Sequence, residues 1–171
     1  MQNSPMLYIG RFAALGFTQI LVLNNVQFGG YLNPYIYILF ILLLPLRTPP
    51  LVMILSGFAM GMFIDLFTGM MGLHTAATLF VAFYRKRIMK VVIGVREEDY
   101  LGTPGIRDLG SWRFFYYVGA ATLIHHLLVY MLEVFTFVNF WSVMVRTLAN
   151  SMVSVVFIMV AMVLFERRRH G

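Results

Sequence analysis

Six long apolar stretches, each closed by charged or turn-forming residues, limit what this chain can fold into. They run over residues 12–28, 34–46, 50–67, 73–92, 114–137 and 141–165. A helix crossing the hydrocarbon of a bilayer needs about 20 mostly apolar residues, with about 17 at the short end. These blocks exceed what globular core elements require, and together they hold most of the 171 residues. Composition agrees: 60% of residues are hydrophobic and 12% charged, where a soluble domain carries about 45–50% apolar and about 25% charged residues. The expected fold is an all-α, polytopic membrane bundle of about six transmembrane helices, a single domain over residues 1–171.

The second stretch is the weakest. Asn33 is a reasonable N-cap with Pro34 at the first helical position, but the stretch is short and Pro45 interrupts its end. A re-entrant or half-crossing segment there leaves five full spans and puts the termini on opposite sides. Charge favours six, because Lys and Arg gather on the cytoplasmic side of membrane proteins. With both termini inside, Arg11, Arg47, Arg85, Lys86, Arg87, Lys90, Arg96, Arg107, Arg113, Arg167, Arg168 and Arg169 share the inner side. Arg146 then stands alone outside, twelve against one among the 13 basic residues. Omitting the second span breaks that agreement.

The sizeable polar segment, residues 85–113, is expected as a basic cytoplasmic loop, with Lys86 to Lys90 along the membrane surface. Gly102, Pro104, Gly105 and Gly110 argue against a packed domain within it. The net charge of +6 does not point to nucleic acid, since no basic face on a soluble module accompanies it. The absence of cysteine excludes disulfides and thiolate metal sites. The first ten residues lack a basic region and a cleavage site, so the first apolar block is expected to stay in place.

Ionisable residues inside spans cost a few kcal/mol on insertion scales and normally face a partner or a cavity. Here they are Asp65, His125, His126, Glu133 and Arg146, with His74 at the start of the fourth span. Asp65 lies about 22 Å past the inner end of its span at 1.5 Å per residue. Asp65, His74, Glu133 and Arg146 therefore share an outer level. Two readings follow: Arg146 pairs with Asp65 or Glu133, or each side chain snorkels singly to the interface. His126 shares a face with Glu133, as a proton relay or metal site would require. Histidines hydrogen-bonded to a neighbouring helix are the favoured reading, because no close ligand spacing accompanies them, and zinc is not expected to copurify.

Arg146, Asn150 and Ser154 form a polar stripe on the sixth span, a pattern that usually joins helix to helix. Gly57 and Gly61 take small-xxx-small spacing with Asp65 on the same face, which makes a close-packing surface. Trp112, the aromatics 114–117 and Trp141 fit interfacial belts. The chain has no phosphate loop, nucleophile elbow or carboxylate pair placed for acid-base work. It is read as non-enzymatic and without a cofactor.

The stretch 57–77, GFAMGMFIDLFTGMMGLHTAA, resembles the signature region of the rod shape-determining protein MreD family. Small residues lead to an aspartate, then to a glycine-rich turn, then to Gly-Leu-His and small residues opening the next helix. NPYIYILFILLLPLRTP upstream is similar to that family's second span, and Gln19, the six-helix plan and the basic C-terminus fit as well. The likeness is specific over about residues 19–87 and architectural beyond. It implies a bacterial inner-membrane scaffold of the cell-elongation machinery. The implied partners are an MreC-type bitopic membrane protein, the actin-like MreB filament, and the wall-synthesising transpeptidase and glycosyltransferase. On that resemblance Gly57, Gly61, Asp65, Gly69 and Gly72 are structural or partner-contact positions. His74 occupies a place where the family tolerates other residues.

A small-molecule carrier, such as the membrane subunit of a vitamin transporter, is the competing class. It too has about six helices, and a short or proline-interrupted span can mark a binding site. Its discriminating feature is a polar and aromatic pocket under outer loops, which are very short here. The basic segment from Arg85 to Lys90 suits either anionic lipid or an acidic cytoplasmic partner.

Overall fold

The computed structural model describes residues 5–25, 32–70, 72–94, 102–134 and 140–167. Of these, 83% are helical and none lies in a strand. The helices are α1 (Pro5–Leu21), α2 (Leu39–Leu42), α3 (Pro50–Thr68), α4 (Leu73–Ile93), α5 (Ile106–Leu109), α6 (Ser111–Val134) and α7 (Phe140–Arg167), with a 3₁₀ turn at Leu23–Asn25. Arg96, Arg168, Arg169 and the ends of the first and fifth expected spans, 26–28 and 135–137, lie outside the described residues.

Four helical stretches, Pro5–Asn25, Pro50–Thr68, Ser111–Val134 and Phe140–Phe165, are long and apolar enough to cross a membrane. α4 carries Arg85, Lys86, Arg87 and Lys90 in its second half, which shortens its apolar part. The chain is an all-α multi-pass membrane protein, and its polarity is distributed accordingly. Leu55, Phe83, Met152 and Val156 are exposed, whereas Gln19, Asp65, Thr78, Arg85, His125, Asn150 and Ser154 are buried. An outer surface this apolar suits lipid or partner helices.

α1 begins at Pro5, earlier than the apolar pattern suggests, because Pro is well placed in a first helical turn. Arg11 is thus inside the helix. The Asn25 side-chain amide closes its other end by donating to the carbonyls of Ile20 (3.1 Å) and Leu21 (3.0 Å).

The long helices pack in the order α1, α3, α4, α6, α7. They curve around residues 33–48, and here the structure departs from the sequence expectation. Asn33 does not cap a helix, and residues 33–36 are non-helical. From Ile36 to Leu44 the chain forms one tight turn of mixed bonding, with Leu39, Phe40 and Ile41 donating to carbonyls three residues back. The reason is length. Thirteen residues as an α-helix reach only about 20 Å, short of the roughly 30 Å of hydrocarbon. Tyr37 meets His74 and Leu44 meets Arg85, eleven residues and about 16 Å apart on α4. The segment is also the most buried part of the molecule, with Tyr37, Ile38, Leu39, Ile41 and Leu42 fully enclosed.

α3 and α4 form a close hairpin. A Cβ at Gly61 would lie 2.5 Å from Thr75 Cα and 2.9 Å from the His74 carbonyl, and one at Gly57 would lie 2.9 Å from the Ala82 methyl. Gly61 faces backbone that cannot yield without separating the helices. Gly61→Ala is expected to destabilise the protein by about 1–3 kcal/mol, as overpacking does, and Gly57→Ala by less. Thermal unfolding in detergent checks this, and equal melting of the Gly61→Ala and parent proteins contradicts it.

Candidate functional site

The polar side chains that the sequence singles out divide between two places, the α3–α4 hairpin and a buried cluster around residues 33–37. In the hairpin, Asp65 sits near the end of α3 and accepts from the backbone of the next helix. Its Oδ1 takes the His74 amide at 3.0 Å, and its Oδ2 takes the Thr75 amide at 2.9 Å and the Thr75 hydroxyl at 2.6 Å. The first amides of a helix have no partner within it and carry partial positive charge. Asp65 therefore caps α4 from a distance. The turn between the helices requires Gly69 at φ 70° and Gly72 at φ 87°, conformations that glycine adopts without a Cβ penalty. Gly69 closes α3 by donating to the Asp65 carbonyl at 3.0 Å.

Arg146 pairs with Glu133 at 3.1 Å, both partly exposed, and its guanidinium lies 4.5 Å from the Tyr130 ring centroid. Asp65 is not its partner. α3 packs against α1 and α4 while α7 packs against α6, so a shared membrane level does not bring Asp65 and Arg146 together.

The buried cluster secures the non-helical segment. Gln19 of α1 accepts from the Ile36 amide (2.8 Å) and donates to the Pro34 carbonyl (3.0 Å) and to Asn24 Oδ1 (2.9 Å). On the other side, α7 supplies Asn150 Oδ1 to the Asn33 amide (2.6 Å) and Ser154 Oγ to the Tyr35 amide (2.8 Å). The stripe expected to join helices thus holds the central segment. Its third member, Arg146, lies apart with Glu133.

Histidines complete the cluster. Tyr37 Oη lies 2.8 Å from both His74 Nδ1 and His125 Nε2, with Thr78 Oγ1 at 3.4 Å from the latter. Tyr35 stacks on His126 at 4.9 Å between centroids. His126 Nδ1 must donate to the Thr122 carbonyl (2.9 Å), which leaves Nε2 to accept from the Ser154 hydroxyl (3.2 Å). That branch has one proton order. The Tyr37 branch has two, because its single hydroxyl proton goes to one histidine while the other donates to it. In each order the outer ring nitrogens, His74 Nε2 and His125 Nδ1, have no hydrogen-bond partner. The two orders differ in the tautomer of both rings, so passage between them requires a proton to leave His74 Nε2 and another to reach His125 Nδ1, which a relay through the Tyr37 hydroxyl alone does not supply. Both histidines turn inward, His125 to the central segment and His126 to Ser154 of the neighbouring α7, in line with the favoured reading of histidines hydrogen-bonded to neighbouring elements rather than a stripe with Glu133. Among the described residues no group of three His, Asp or Glu side chains converges to hold a metal ion.

At the other end of the segment, Arg85 corrects a second expectation. It is buried rather than on the inner surface. Its guanidinium donates to the Leu44 carbonyl and, through Nε at 3.0 Å, to Tyr117 Oη, which reaches the Leu42 carbonyl at 3.4 Å. Tyr35 and Tyr37 carried no sequence signal, since tyrosine in apolar blocks is ordinary, and Tyr117, expected with 114–117 in an interfacial belt, is instead fully buried together with Phe114. Gln19 did carry a signal, as an amide within an apolar stretch.

Comparison with family models, with characterised proteins and with solved structures finds no match to this chain.

The geometry sorts the charged residues by a rescue experiment. Arg146→Asp is expected to be rescued by Glu133→Arg and not by Asp65→Arg, with an effect of about 1 kcal/mol or less for so exposed a pair. Asp65→Ala, which leaves two buried amides without acceptors, is expected to cost about 1–3 kcal/mol by itself. Unfolding of the single and double variants in detergent measures both, and rescue of Arg146→Asp by Asp65→Arg contradicts the assignment.

Proposed function

We propose that this protein is a non-catalytic membrane scaffold of the MreD type, working in the bacterial inner membrane to couple cytoskeletal and wall-synthesising parts of the elongation machinery. One observation carries the reading. Every position of the 57–77 pattern that resembles the family signature has a definite task in one hairpin: Gly57 and Gly61 in the helix contact, Asp65 in the cap, Gly69 and Gly72 in the turn.

The disposition of the side chains fits this role. Gly57, Gly61 and Asp65 face inward while Gly69 and Gly72 are exposed in the turn, so partner contact falls to that turn and to the exposed apolar sides of the long helices, where residues such as Leu55, Phe83 and Met152 stand out. An MreC-type bitopic partner suits such a surface. Arg47, Arg87, Lys90 and Arg113 are exposed and, on the charge rule, face the cytoplasm. They are available to anionic lipid or to acidic surfaces of the filament and its associated transpeptidase and glycosyltransferase.

A carrier reading has one observation in its favour, a cleft of about 430 Å³ beside α1 and α7. The polar and aromatic cluster near the opposite end is filled by its own side chains, with Tyr37, His125 and His126 fully buried. Depletion in the native bacterium separates the two readings. The scaffold reading expects rods to round up, wall-synthesis motion to slow, and a bitopic membrane protein to copurify. Rods that keep their shape and insertion pattern contradict it, and a copurifying vitamin moves the assignment to a carrier.

A further inference from the structure

The helices form an open series, with α1 first and α7 last, so the bundle has a gap where its two edges face each other. In one half of the molecule the central segment closes that gap, joined to α1 through Gln19 and to α7 through Asn150 and Ser154. In the other half a cleft of about 430 Å³ lies between α1, the central segment, α5 and α7. Its size lies in the range of ligand sites, about 300–1,000 Å³.

The walls define the chemistry of an occupant. Leu15 on α1, Leu39 and Leu43 on the central segment, and Met162 and Phe165 on α7 make the cleft apolar. A side-chain carbon added at Gly10, which lines it from α1, would meet nothing within 4 Å. At the rim are Arg11 on α1 and Arg107 and Asp108 on α5. Among the lining residues, two guanidiniums stand against one carboxylate, which makes the lining net positive. Arg11 lies six residues, about 9 Å, into its helix.

We propose that this cleft binds one anionic phospholipid, with the phosphate at Arg11 and Arg107 and an acyl chain between α1 and α7. An apolar cleft at the edge of a bundle faces acyl chains rather than water. Basic pockets between transmembrane helices are a recurrent way of holding anionic headgroups. The lipid completes the wall that the open helix series lacks.

The test uses the whole protein purified in neutral detergent, with retained lipid read by native mass spectrometry. Phosphatidylglycerol, phosphatidylcholine and inorganic phosphate are the three probes. Phosphatidylglycerol is expected to bind at least about fivefold more tightly than phosphatidylcholine, the discrimination that one basic residue near an anionic surface supplies. Arg11→Gln with Arg107→Gln is expected to abolish that preference, and Gly10→Phe, which fills the cleft, to weaken both lipids. Inorganic phosphate is expected not to displace phosphatidylglycerol. Equal binding of the two lipids by the unaltered protein, or an undiminished preference in the double arginine variant, overturns the proposal. Displacement by inorganic phosphate also overturns it, making the rim a free-anion site. The comparison of lipids on the unaltered protein needs no variant and decides the question if the arginine variant does not fold.

Discussion

A peptide backbone at membrane depth must have its N–H and C=O groups satisfied by protein, because hydrocarbon offers no alternative. Within residues 33–48 a short helical ladder serves only the amides of 39–44, and side chains from the surrounding helices serve groups on either side of it. Gln19, Asn150, Ser154, Tyr117 and Arg85, from α1, α7, α6 and α4, reach in to the exposed amides and carbonyls. Each unsatisfied buried group would cost about 1–3 kcal/mol. These side chains are therefore the reason the segment has a single conformation.

The same requirement explains why polarity is inside and apolar surface outside. Polar side chains placed on the lipid face would add cost and leave the segment without partners. Drawn inward, they tie helices that are distant in sequence to one strip of chain. The α3–α4 hairpin is built by a different device, close backbone approach at Gly61 and a carboxylate cap at Asp65, and presents His74 to Tyr37. The hairpin and the central segment thus meet at the Tyr37 hydroxyl and again where Arg85 reaches the Leu44 carbonyl. With its polar groups engaged internally, such a bundle offers partners mainly its outer helix faces, the mode of action expected of a scaffold.

Much of this was legible in the sequence, and the rest was hidden for identifiable reasons. Apolar block length gave the all-α membrane class, and the glycine spacing with Asp65 marked the hairpin. Depth along a helix put Asp65, Glu133 and Arg146 on one level but carries no information about which helices are neighbours, so Glu133 could not be preferred over Asp65. Hydropathy reads residues 34–46 as a span because it measures apolarity and is blind to backbone form. Their brevity and Pro45 were the visible signs that a regular helix would not suffice. Arg85 was assigned to the surface because a positive charge after an apolar run usually marks an interface, and nothing local announces that a carbonyl waits for it 41 residues upstream.

Hydrogen exchange over residues 33–44 tests the central claim most directly, since exchange reports local opening of backbone hydrogen bonds. In the unaltered protein these amides are predicted to be as protected as those of α3, although those before Leu39 have no helical partner. Gln19→Leu is predicted to release them while α6 and α7 keep their protection. Rapid exchange of 33–44 in the unaltered protein, or protection there that survives Gln19→Leu unchanged, would contradict a central segment held in place by side chains.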